Sequence, residues 1–121
     1  MYQRKLDKDI RCPLEYGMEL FGGKWNSRII CVLAALGTLR YSELRKRIDG
    51  VSQKMLTQTL RSLERDGLVL RTMTPQIPPR VDYELTAAGQ SLRAPLKALE
   101  DWAKQHMASV LEARDVYDEA P

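Results

Sequence analysis

A chain of 121 residues and 13.9 kDa has the length of one ordinary domain, enough to bury roughly two thirds of the surface its unfolded form exposes. With 44% hydrophobic and 29% charged residues it lies near the globular average, which argues against wholesale disorder. Its longest apolar run, Ile29 to Leu36, is eight residues, against the roughly 20 that a spanning helix needs, so no transmembrane segment and no membrane partner are expected. The formal charge of +3 conceals an excess in the middle: nine bases and four acids lie between Arg40 and Arg80, offset by four acids and one base between Glu112 and Pro121.

The N-terminus, MYQRKLDKDIRC, is charged where a secretory signal would be apolar, and a cytoplasmic protein is expected. Pro13 fits the first turn of a helix holding Leu14, Met18, Leu20 and Phe21, which Gly22-Gly23 ends. A second helix is predicted from about Lys24 to Leu36, with Trp25, Ile29, Val32, Leu33 and Leu36 on a core face and Gly37 as its stop. A short helix over Ser42 to Ile48 follows, then a turn at Asp49-Gly50-Val51.

Ser52 is placed to cap a longer helix over residues 52–66, and Gly67 supplies a left-handed stop. At 100° per residue Leu56, Leu60 and Leu63 share one side within about 60°, whereas Lys54, Thr57, Gln58, Arg61 and Arg65 gather opposite. One face packs and the other presents donors and cations. Leu68 to Thr74 and Arg80 to Leu85 are β-rich and flank the proline-rich tip Pro75-Gln76-Ile77-Pro78-Pro79, the pattern of a hairpin. Thr86 is expected to cap a final helix with apolar positions Leu92, Leu96, Leu99, Ala103, Met107 and Val110, kinked or broken near Arg93-Ala94 by Pro95.

The fold class that emerges is mainly α with a small β-hairpin wing: a winged helix-turn-helix with a long C-terminal helix. One domain is expected over residues 12–113, with an N-terminal arm over 1–11 and an acidic, fraying tail over 114–121. Little here resembles an enzyme. His106 is the single histidine, no cysteines or histidines have zinc spacing, and no cofactor is called for. His106 falls near the end of the final helix, where a cation suits the dipole. Gly22-Gly23-Lys24 lacks the flanking residues of a phosphate-binding loop and reads as a helix break. The two cysteines are too few for a disulfide framework, and Cys31, between Ile30 and Val32, reads as inert core.

Several ordered segments together carry a resemblance over Cys12 to Trp102: Cys12-Pro13, GGKW at Gly22 to Trp25, RYSELRKRI at Arg40 to Ile48, GVSQKMLTQTLRSLERDGLV at Gly50 to Val69, PPRVDYELT at Pro79 to Thr86, and Leu99 to Trp102. In these the chain resembles the HxlR-type winged helix-turn-helix transcription regulators, a family similar in architecture to the MarR-like group. The resemblance implies a homodimer that binds double-stranded operator DNA, repressing or activating.

With the helix from Ser52 in a major groove, Gln53, Thr57 and Gln58 are the candidates for base readout, and Lys54, Arg61 and Arg65 for phosphate, Arg61 also reaching a guanine. Ser52 belongs to the same segment but chiefly caps it. The wing over residues 74–80 brings Arg80 to a minor groove or to phosphate, Arg71 being as readily a solvated strand charge. Arg45 and Lys46 fit phosphates where the preceding helix crosses the backbone, and Arg40 is similar. A protein-interaction module is the competing reading, but it would carry apolar anchors where Lys54, Gln58, Arg61 and Arg65 stand.

Leu96, Leu99, Trp102 and Met107, with Leu14 and Met18 of a partner, are the candidate dimer interface, some of them doubling as core. Recognition helices about 34 Å apart would then match a pseudo-palindromic site. Cys12, at a helix start beside Arg11, is the candidate redox sensor; in several family members the cysteine of the Cys-Pro motif senses oxidants or electrophiles by disulfides between subunits. Its plainer reading is a packed helix-start residue. An oxidant or a small molecule is the expected class of effector.

Overall fold

The computed structural model describes residues 12–121 apart from Gly22; the N-terminal arm over 1–11, Arg11 included, and Gly22 lie outside the described residues. In chain order the elements are α1 (Pro13–Leu20), α2 (Asn26–Leu36), β1 (Leu39–Arg40), α3 (Tyr41–Arg47), α4 (Gln53–Arg65), β2 (Val69–Thr74), β3 (Arg80–Leu85), α5 (Ala87–Ser91) and α6 (Arg93–Glu119). They fall into two compact units, one ending at Gln90 and the other running from Ser91 to Pro121.

The first unit is built on side chains that the helical periodicities bring to one side. Ile29, Ile30 and Leu33 of α2, Leu44 of α3 and Leu56, Leu60 and Leu63 of α4 are all buried, joined by Ile48, Val69 and Leu85. Each full burial of this kind contributes roughly 1.5–3 kcal/mol. The core arc of α2 is narrower than predicted. Leu36 is exposed at the helix end, Trp25 and Val32 are half-buried, and Cys31 is exposed, not core. The reason is angular: at 100° per residue Cys31 points about 150° away from the centre of the Ile29, Ile30 and Leu33 arc.

The sheet is antiparallel with order β1-β3-β2, so the predicted hairpin gains a third strand. Leu39 pairs with Tyr83 and Arg40 with Asp82, while β2 and β3 run in register from Val69 opposite Leu85 to Thr74 opposite Arg80. A two-residue strand is too short to display alternation, so periodicity does not reveal β1. Only Val69 of β2 is buried, which leaves that strand exposed from Leu70 outward, whereas Tyr83 and Leu85 of β3 are buried.

Gly67 at φ 74° makes the left-handed turn that separates α4 from β2. Thr86 then caps α5: its hydroxyl accepts from the Gly89 amide at 3.1 Å and donates to the Gly67 carbonyl at 2.6 Å.

Pro95 breaks the final helix, at Leu92 and slightly before the expected place. A continuous helix would need an amide at Pro95 to reach the Ser91 carbonyl, so α5 stops at Ser91 and α6 restarts at Arg93 with Pro95 in its first turn. The second unit consists chiefly of α6, 27 residues long with none buried. Pairs at 2.6 Å between Lys97 and Asp101, and at 2.9 Å between Lys104 and Glu100, brace its surface, and the Asp101 hydrogen bond raises the Lys97 ammonium pKa. The acidic segment expected to fray is helical through Glu119, because no proline or glycine interrupts it and Leu111 to Arg114 are good helix formers. His106 therefore sits in mid-helix, stacked on Trp102 with ring centroids 4.8 Å apart, away from the dipole end where it was expected.

Candidate nucleic-acid interface

The α3-turn-α4 segment is set by local bonds. The Glu43 carboxylate accepts the Arg40 amide at 3.0 Å and starts α3. Buried Ile48 and Val51 pin the turn, and the Ser52 hydroxyl accepts the Met55 amide at 3.1 Å as a true N-cap. Ser52 thus acts within the helix start. With Leu56, Thr59, Leu60 and Leu63 turned inward, Gln53, Lys54, Gln58, Arg61 and Arg65 are all exposed on the outer face of α4. Thr57 is half-buried beside them and is held by Tyr41, whose hydroxyl lies 3.1 Å from its own.

Three further groups of cations accompany this face. On the wing side, Arg61 and Arg71 share a cleft of about 290 Å³ with Thr57, Glu64 and Tyr83. Arg45 and Lys46 are exposed in the last turn of α3. Arg80, expected at the wing tip, stands at the foot of the loop opposite Thr74, with its Nε 3.0 Å from an Asp82 carboxylate oxygen. The tip itself carries Ile77, fully exposed.

Lys24 and Arg28 form the third group, which periodicity alone does not mark. Lys24 Nζ lies 4.7 Å and Arg28 Cζ 5.2 Å from the centre of the Trp25 ring, so the indole assigned to the core is instead clasped by two cations. Arg28 also donates to the Asp49 carbonyl at 3.3 Å. A groove of about 290 Å³ joins Lys24, Trp25 and Asn26 to Met55, Gln58 and Ser62 of α4. The available signal was the spacing of Lys24, Trp25 and Arg28, which puts cations one residue before and three after an aromatic ring.

Among the interface candidates, Leu14, Met18, Leu99 and Trp102 are 70%, 59%, 58% and 49% exposed, far more than core residues would be. Leu96 and Met107 are half-buried. Cys12 is exposed at the N-cap of α1. No helix among the described residues is long and apolar enough to cross a membrane.

A short helix, a tight turn, an amphipathic basic helix and a three-stranded wing define a winged helix-turn-helix protein. The chain belongs to the HxlR-like helix-turn-helix family, which matches residues 20–110. It is 44% identical over 100 residues to an HTH-type transcriptional regulator of Methanothermobacter thermautotrophicus, covering 83% of this chain and 76% of that protein. Among solved structures it is similar to the redox regulator HypR in its reduced form, with TM-score 0.76, 34% identity and coverage of 84% and 99% of the two chains. The reduced form of the regulator YodB from B. subtilis gives TM-score 0.71 and 38% identity over 80% and 95%. The family and these relatives are transcriptional regulators, not enzymes.

Proposed function

We propose that this chain is a dimeric, sequence-specific DNA-binding regulator, and the observation that carries the reading is the outer face of α4. Amides and cations stand exposed there on a helix whose other face is locked into the core, the arrangement a major groove requires. Gln53, Thr57 and Gln58 read base edges, whereas Lys54, Arg61 and Arg65 hold phosphates. Arg45 and Lys46 meet the backbone where α3 crosses it. The β2-β3 ribbon reaches the flanking groove with Arg71 and Arg80, and Lys24 with Arg28 extends the contact beyond the other edge of α4.

A second copy of the chain covers the exposed apolar side chains Leu14 and Met18 on α1 and Leu96, Leu99, Trp102 and Met107 on α6. Two recognition helices then address a pseudo-palindromic site with half-sites about one helical turn apart. Oxidation of Cys12 by an oxidant or electrophile gates the binding; the cysteine's exposure supports this reading, as does the likeness to HypR, a redox regulator.

Selection from a random duplex library by the reduced protein tests the reading, with the salt dependence of the winning site compared with unrelated DNA. An enriched inverted repeat is the expected result. Weak, sequence-indifferent binding under reducing and oxidising conditions alike would overturn it in favour of a protein-interaction module.

A further inference from the structure

Tyr41 opens α3 and is half-buried, and its hydroxyl touches α4 twice: it donates to the Gln53 carbonyl at 3.0 Å and lies 3.1 Å from Thr57 Oγ1. A phenol has one proton, and a backbone carbonyl can only accept. The Tyr41 proton is therefore committed to Gln53. The contact with Thr57 must run the other way, with the Thr57 hydroxyl donating to the Tyr41 oxygen. Once its single proton is turned inward, Thr57 has only lone pairs left for a group approaching from outside.

We infer that Tyr41 is a positioning residue that makes Thr57 an acceptor-only reader, so that the base edge Thr57 meets is an exocyclic amine, adenine N6 or cytosine N4. In the major groove these amines are the only donors, whereas guanine O6 and N7, thymine O4 and adenine N7 accept and would face lone pair against lone pair. The inference deepens the DNA-binding reading above and rests on α4 lying in the major groove.

Two observations separate Thr57 from its neighbours. Thr59, the same residue type two positions on, is buried and donates to the Met55 carbonyl at 2.7 Å, which removes it from readout. Thr57 by contrast lines the open cleft beside Arg61 and Arg71, within reach of an incoming ligand. The amides Gln53 and Gln58 both donate and accept, so neither alone distinguishes a donor edge from an acceptor edge. Thr57 supplies that distinction because its proton is already spoken for.

The test compares sites selected by the wild-type protein and by Thr57→Val, which keeps the shape and removes the oxygen. The base pair whose preference disappears in the variant marks the Thr57 contact. At that pair the amine-bearing base is then replaced by its desamino analogue, purine for adenine or 2-pyrimidinone for cytosine. Wild type should lose about 3- to 10-fold in affinity, the range of one net hydrogen bond; Thr57→Ser should lose as much, and Thr57→Val should not respond. Tyr41→Phe, which releases the Thr57 proton, should tolerate pairs that present an acceptor and so flatten the preference at that position alone.

Equal losses for wild type and Thr57→Val on amine removal would overturn the inference, as would an undiminished preference in Tyr41→Phe. Identical selected sites for wild type and Thr57→Val would refute it while leaving specific DNA binding intact. Failure of the wild type to select any sequence would instead refute the docking of α4 on which it rests.

Discussion

Arg80 and Asp82 stand two residues apart on β3, hence on the same side of the strand, and close an ion pair at 3.0 Å with side-chain exposures of 43% and 17%. The half-sheltered carboxylate draws the guanidinium back along the wing and away from its tip. Asp82→Asn should free it: affinity for any duplex should rise several-fold and the salt slope should steepen, each phosphate contact adding about 0.9. The loss in stability should stay below about 1 kcal/mol, as for other exposed pairs. Anisotropy titrations at several salt concentrations check this; an affinity and a slope that both stayed unchanged would take Arg80 off the DNA.

Arg61 and Lys24 lie on opposite flanks of α4, one in the cleft with Arg71 and the other beside Gln58. Arg61→Ala and Lys24→Gln should each lower the salt slope by about 0.9 if each neutralises one phosphate. The selected sequence should remain unchanged for Lys24→Gln, because a phosphate contact carries no base information. The same titrations, with selection repeated on the variants, decide whether the footprint reaches Lys24.

Gly89 is buried where α5 crosses the start of the wing, and a Cβ there would lie 2.2 Å from the Leu68 carbonyl oxygen and 3.1 Å from Leu85 Cδ2. Backbone cannot yield as a flexible side chain can. Gly89→Ala should destabilise by about 1–3 kcal/mol or more through overpacking, seen as a lowered midpoint in chemical denaturation. Gly17→Ala, with nothing within 4 Å of its added methyl, is the control and should be neutral or slightly stabilising.

Leu99 and Trp102 are exposed on a helix that buries nothing of its own. Leu99→Glu combined with Trp102→Glu should leave helix content unchanged and convert a dimer to a monomer in sedimentation velocity, with loss of high-affinity operator binding. A double variant that remained dimeric would move the interface elsewhere.

Both cysteines are exposed, so a single substitution does not isolate the sensor. Diamide should abolish operator binding by wild type and by Cys31→Ser, and reductant should restore it. Cys12→Ser should bind throughout. Loss of binding in Cys12→Ser but not in Cys31→Ser would transfer the role to Cys31.

The backbone plan was legible because its signals are local. Ser52 as a cap, Gly67 as a stop, the period of Leu56, Leu60 and Leu63, and the β-rich runs around five tip residues all act within a few positions of themselves. The outer face of α4 was legible for the same reason: once the leucines are assigned inward, Lys54, Gln58, Arg61 and Arg65 have nowhere else to point.

What only the tertiary structure decided are relationships between distant residues. Periodicity marks Trp25 as apolar but not that Lys24 and Arg28 clasp it, and it marks Cys31 as flanked by apolar residues but not that the core arc stops short of it. Tyr41 reaching Thr57, Asp82 drawing Arg80 aside, and Leu68 closing over Gly89 each depend on side-chain direction and packing across elements. Hydrophobic burial is non-directional and survives in a one-dimensional pattern, whereas hydrogen bonds and steric contact require the atoms to be placed.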